Sequence, residues 1–187
     1  MKKFELTNEF VVNSFGIKLF RIRSLVAFGR VKAGEQGGYV EKEENLSQIG
    51  NAWVSGDAKV SGNARVYCNA WVYGNAEVSG NAGVSGNAKV SGDAEVSGDA
   101  KVSGDAEVSG NAWVSSNVDY ATVKGFGRIN RNTTFFRCKD GKVCVVCGCF
   151  FGDLEEFRAI VKRTHGDGRM AMEYLAIADL MEIHFKG

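Results

Sequence analysis

From Ala52 to Val114 small or aliphatic positions alternate with polar ones, and the alternation restarts every six residues. The unit is Val-Ser-Gly-(Asn/Asp)-Ala-X, as in Val84-Ser85-Gly86-Asn87-Ala88-Lys89. Valine holds every sixth position from Val54 to Val114, and alanine keeps its own phase two residues earlier, from Ala52 to Ala112. Residues two apart on a strand share a face, so each Ala-X-Val triplet predicts a short strand with X outward. The Gly-Asn or Gly-Asp pair predicts a turn, because both residues tolerate backbone angles closed to β-branched ones. A fixed short period predicts a solenoid whose coils stack on one another.

An aliphatic residue followed four places later by a small one resembles the hexapeptide repeat of left-handed parallel β-helices. That resemblance implies three hexapeptides per triangular coil, so that residues 18 apart stack. Aspartates about 4.8 Å apart on adjacent coils would repel. The corner columns Asn51-Asn69-Asn87-Asp105, Asp57-Asn75-Asp93-Asn111 and Asn63-Asn81-Asp99-Asn117 place no aspartate above another. The outward column sets Lys89 beside Glu107 and Lys101 beside Asp119, although Glu77 falls beside Glu95.

Before the repeats, Phe4 to Val12 and Ile17 to Phe28 read as a hairpin turning at Asn13-Ser14-Phe15-Gly16. Such a cap plugs an open end that would otherwise expose unpaired strand groups and apolar lumen. After Val114 the triplets Ala121-Thr122-Val123, Gly127-Arg128-Ile129 and Thr133-Thr134-Phe135 suggest one more, imperfect coil. Then Thr134 to Cys138 and Val143 to Cys147 flank a hairpin turn at Lys139 to Lys142. Asp153 and Glu156 have the spacing of a helix capping box, followed by an apolar face of Leu154, Phe157, Ile160 and Val161. A second helix carries Met170, Tyr174, Ile177, Met181 and Phe185. The expected architecture is mainly β: an N-terminal β cap over residues 1–45 and a left-handed parallel β-helix over 46–133. A C-terminal β-hairpin plus two helices follows over 134–187.

The 187 residues carry a net charge of +1 and no proline, which argues against a nucleic-acid surface built on clustered Lys and Arg. No secretory leader pattern and no apolar run of membrane-spanning length stand out. Five cysteines, four of them crowded together, fit a reducing cytoplasm better than a disulfide framework.

Two kinds of candidate site emerge. Trp53 and Trp71 are 18 apart and hence stacked, Tyr73 shares their face, Tyr67 is nearby and Trp113 falls on another face. These aromatics suit an interface or a ligand platform, unless Trp53 and Trp71 lie beneath the N-terminal hairpin. Cys138, Cys144, Cys147 and Cys149 raise a zinc site, with Cys144-Val145-Val146-Cys147-Gly148 in knuckle form. Against zinc, Cys144 points away from the face shared by Cys147 and Cys149, and buried cysteines need no metal; the expectation is no cofactor. His165 reads as a loop residue and His184 as a favourable charge at a helix end.

Val31-Lys32-Ala33-Gly34-Glu35-Gln36-Gly37-Gly38-Tyr39-Val40, running into Glu44-Asn45-Leu46-Ser47, resembles the lead-in of hexapeptide-repeat proteins of phages and prophages. Those are labelled acyltransferases or polymer-forming proteins. The segment Gly148 to Phe157, Thr164 to Asp167 and Glu173-Tyr174 resemble a short module at the ends of phage proteins. Acyltransferases of this type use a histidine base, yet His165 and His184 both follow the repeats. The combined reading is a non-enzymatic binding or scaffold protein in the host cytoplasm. Its partner would be a protein, a second copy (trimer or dimer) or a small nucleotide. In a phage setting that suggests counter-defence against a host immune protein or its nucleotide signal. The alternatives are an acyl-CoA-dependent acyltransferase at a trimer interface and a self-assembling structural protein.

Overall fold

A computed structural model describes residues 2–186. β1 (Phe4–Val12) and β2 (Lys18–Ser24) form an antiparallel hairpin. The Asn13 side chain closes its turn by accepting from the Phe15 and Ile17 amides at 3.0 and 2.9 Å. β2 pairs antiparallel with β3 (Gln36–Val40).

The repeats then form a β-solenoid. Its rungs are eleven two-residue strands, β4 to β14, each an X-Val pair. They begin at Trp53, Lys59, Arg65, Trp71, Glu77, Gly83, Lys89, Glu95, Lys101, Glu107 and Trp113. Each of the first eight pairs in parallel with the rung 18 residues on, as in Trp53 with Trp71, Lys59 with Glu77 and Arg65 with Gly83. Three faces result. The first carries β5, β8, β11 and β14 and is extended by β3, β2 and β1; the second carries β4, β7, β10 and β13; the third carries β6, β9 and β12. Every alanine and valine of the two phases is buried.

The corners add side-chain ladders. Asn51 donates to Asn69, Asn69 to Asn87 and Asn87 to Asp105 at 3.1, 3.2 and 3.0 Å. Asn75 feeds Asp93 and Asn81 feeds Asp99 in the same sense. A carboxylate can only accept, which is why these aspartates follow an asparagine. Lys89 pairs with Glu107 at 2.7 Å. The adjacent Glu77 and Glu95 are each relieved by a lysine, Lys59 at 2.8 Å and Lys139 at 2.7 Å. Corner glycines such as Gly86 hold φ 68°, and a Cβ there would lie 2.8 Å from the Gly104 carbonyl. Cys68 takes the glycine slot of its repeat with φ 61°.

The rungs bond along the solenoid axis with a fixed sense. In the first eight rungs the outward residue's amide donates to an alanine carbonyl 17 residues on, as Trp53 does to Ala70 at 3.0 Å. The N-terminal rim therefore presents carbonyls, and donors meet them. Lys3 Nζ reaches Ala52 O at 2.9 Å, the Tyr39 amide reaches Ala58 O at 2.8 Å, and Asn45 Nδ2 reaches Ala64 O at 2.8 Å. Burial pushes the Lys3 ammonium down to about 8. The opposite rim presents amides, and acceptors meet them. The Lys101 amide donates to Asn117 Oδ1 at 2.8 Å, and that of Glu107 to Thr134 Oγ1 at 3.0 Å.

The extra coil expected after Val114 does not form. Ser116 stands where the repeat has glycine and Val118 where it has the small corner alanine. Asp119 instead gathers the Ser115 and Ser116 amides at 3.0 and 2.8 Å and pairs with Arg137 at 3.2 Å rather than with Lys101. Burial alone would raise its carboxyl, but the serine hydrogen bonds outweigh that and hold it below the usual range. The chain turns into an antiparallel four-stranded sheet of β15 (Tyr120–Phe126), β16 (Arg131–Arg137), β17 (Val143–Cys147) and β18 (Phe150–Asp153). Residue 133, the expected end of the solenoid, thus lies inside β16. One face of this sheet, with Phe136, Cys144 and Val146, closes the solenoid core. The other, with Phe135 and Val145, packs on α1 (Leu154–His165) and α2 (Arg169–Phe185) through Phe157, Tyr174 and Ile177. Asp153 caps α1 with Glu156 answering. His165 is the last residue of that helix rather than a loop residue.

Candidate functional site

The five candidate aromatics form no single patch: Trp53 and Trp71 pair on the second face, and Tyr67 and Trp113 lie elsewhere. Trp53 is wholly buried, its ring 5.4 Å from Phe28 and pressed against Gly37. It belongs to the junction beneath the N-terminal cap and offers no surface. Trp71 is half-buried on the second face, 6.4 Å from the exposed Tyr73. The indole N–H groups of Trp53 and Trp71 are both buried without a hydrogen-bond partner. Trp113 is exposed on the first face. Tyr67 is exposed and lines a groove on the third face.

That groove has a volume of about 930 Å³. One residue of its lining stands out. The outward column of the third face reads Arg65, Gly83, Lys101, and Gly83 is the only glycine at an outward rung position. With no side chain there, the face is notched between two cations. Lys101 folds back over the notch, its Nζ donating to Asn81 O. Neither Arg65 nor Lys101 has a carboxylate partner among the described residues. Glu43, held by Lys2, and the exposed Glu44 rim the groove toward the N-terminal cap, and Gln48 lies between. Two uncompensated cations, a phenol ring and a carboxylate thus share one open channel. The 18-residue spacing that groups Trp53 with Trp71 also groups Arg65, Gly83 and Lys101. The signal was the missing side chain in the outward column.

A match is found to the YdcK Beta solenoid repeat family, over residues 58–74. That span falls just short of one 18-residue register step and includes Arg65 and Tyr67. No curated protein matches the chain.

The cysteine quartet is not brought together. Alternate residues of β17 face opposite sides, so Cys144 joins the solenoid-side core while Cys147 faces the helices. Cys138 and Cys144 form a disulfide, with Cα atoms 6.3 Å apart. This departs from the thiol-only expectation drawn from the cysteine count. Cys147 Sγ accepts from Thr133 Oγ1 at 3.2 Å, and Cys149 is exposed. Among the described residues no group of three or more His, Cys, Asp or Glu side chains is placed to hold a metal ion. None of their helices is long and apolar enough to cross a membrane.

Proposed function

We propose that the protein is a non-enzymatic binding and scaffold protein, and that its third-face groove takes a small nucleotide. The observation that carries this reading is the Arg65–Gly83–Lys101 column. On the other two faces Lys59, Glu77, Lys89, Glu95 and Glu107 are ion-paired, whereas these two cations are left without carboxylates beside Gly83. Arg65 and Lys101 suit phosphate oxygens. Tyr67 offers a ring on which a base stacks, an interaction worth about 1–3 kcal/mol. The exposed Glu44 suits the hydroxyl and amino groups of a nucleoside, while Gln48 is tied to the Lys3 and Phe4 backbone. No histidine lies in the solenoid to serve as the base of an acyl transfer, which favours binding over catalysis. In the phage setting implied by the resemblance, such a ligand fits sequestration of a host signal nucleotide.

The scaffold in this reading is a left-handed prism of three hexapeptides per coil. The 18-residue pairing on all three faces supports the coil size, and the hexapeptide resemblance supports the hand. The test of function is a thermal-shift panel of mononucleotides, cyclic mononucleotides and cyclic dinucleotides. At least one should stabilise the wild type at micromolar concentration and leave Arg65→Glu unshifted. If no nucleotide shifts the melting temperature, or the shift survives in Arg65→Glu, the reading fails.

A further inference from the structure

A second cavity, of about 370 Å³, lies in the C-terminal module, far along the chain from the groove. Its size is at the lower end of the ~300–1,000 Å³ typical of small-molecule sites. One wall is apolar, built from Phe150, Phe157 and Ile160. The other is cationic: Arg128, from the β15–β16 turn, and Arg131, the first residue of β16, both line it. Neither arginine has a carboxylate partner among the described residues.

Arg131 is held in place by the turn opposite. Its Nη1 lies 1.6 Å from where a Cβ on Gly148 would sit, so the guanidinium rests across the bare backbone of that turn. Any side chain at 148 would evict it. Tyr174 also lines the cavity, and burial, with the Cys147 thiol nearby, pushes its phenol up to about 12. Tyr174 therefore stays a protonated donor at neutral pH. His165 stacks on its ring at 6.0 Å and closes one edge of the cavity.

We propose that this cavity binds a small organic anion, a carboxylate or monophosphate carried on an aromatic or short aliphatic body. Arg131 holds the anionic group, Arg128 assists from the rim, and the apolar body lies against Phe150, Phe157 and Ile160. An unpaired guanidinium seated at the edge of an apolar pocket selects for a ligand with one charged end. This site is independent of the third-face groove, and neither proposal rests on the other.

The test uses the full chain and three probes of one shape: phenyl phosphate, phenylacetate and neutral benzyl alcohol. Each is titrated calorimetrically, and alkylation of Cys147 by iodoacetamide is followed by mass spectrometry. At least one anion should bind about ten-fold more tightly than benzyl alcohol and slow modification of Cys147. The stronger of the two anions identifies the head group. Arg131→Met should lose that advantage with its melting temperature kept. Should that variant not fold, Ile160→Trp, which fills the apolar wall, should abolish binding of all three probes. Equal affinity for benzyl alcohol and both anions, or unchanged Cys147 alkylation at saturation, overturns the proposal.

Discussion

Asn45 closes one corner of the N-terminal rim, and an isosteric change reverses its chemistry. The side chain is buried. Its Nδ2 donates to Ala64 O at 2.8 Å and Gly62 O at 3.1 Å, and its Oδ1 accepts from the Lys42 amide at 2.9 Å. In Asn45→Ala all three partners lose their bond at a largely enclosed site, at about 1 kcal/mol each, so a loss of about 2–4 kcal/mol is expected. Asn45→Asp keeps the shape and the Lys42 contact but sets a carboxylate against two carbonyls. It should cost at least as much as alanine at pH 7. That carboxyl would have a folded pKa raised above its unfolded value. Its folded form is then least penalised below the unfolded pKa, and stability is lost as pH rises through the folded one. Urea unfolding followed by circular dichroism at pH 7 and pH 4.5 reads both effects. Asn45→Asp should regain stability relative to Asn45→Ala on acidification. A loss under about 0.5 kcal/mol for either variant at pH 7, or no recovery of Asn45→Asp, would refute the claim that donors are required at this rim.

Two further outcomes follow from the same framework. Burial lowers the Lys3 pKa to about 8 from 10.5, so between these values the unfolded chain binds a proton the folded one has released. Wild-type stability should therefore rise with pH across that window relative to Lys3→Met, as read by melting temperatures from pH 7.5 to 10.5; parallel profiles would contradict it. Cys68 holds φ 61° where its sister repeats have glycine, a conformation costing about 1–2 kcal/mol for a side-chain-bearing residue. Cys68→Gly should raise stability by up to about 1 kcal/mol after the added freedom of the unfolded chain is subtracted, and a lower urea midpoint would speak against it.

The solenoid was legible because its signal is repeated: valine and alanine hold their phases from Ala52 to Val114, and the aspartate columns already obeyed an 18-residue step. The rim closures were not legible. Lys3, Asn45 and Thr134 act on coils brought near only by folding, and nothing local marks them. The misread coil has a clear cause. A small-X-apolar triplet is satisfied equally by a rung and by an ordinary strand with alternating faces. What distinguishes them is the corner, where Ser116 and Val118 replace glycine and alanine. β18 was missed because Phe150-Phe151-Gly152 is too short to show a period. At the site, attention to large aromatics favoured Trp53, which the N-terminal cap buries, over the gap at Gly83. A hole in a column is a weaker mark in a sequence than a tryptophan.

The most direct test of the binding account is a calorimetric titration of the best-stabilising nucleotide into Gly83→Glu. This position has ordinary strand geometry, and a Cβ there meets only the flexible Lys101 chain, at 3.1 Å. A carboxylate between Arg65 and Lys101 should leave folding intact or improve it by about 0.2–1 kcal/mol through cross-strand pairing. It would also fill the notch and neutralise both cations. The account predicts an unchanged or higher melting temperature with affinity reduced at least about ten-fold. Undiminished affinity in a folded Gly83→Glu variant would contradict it.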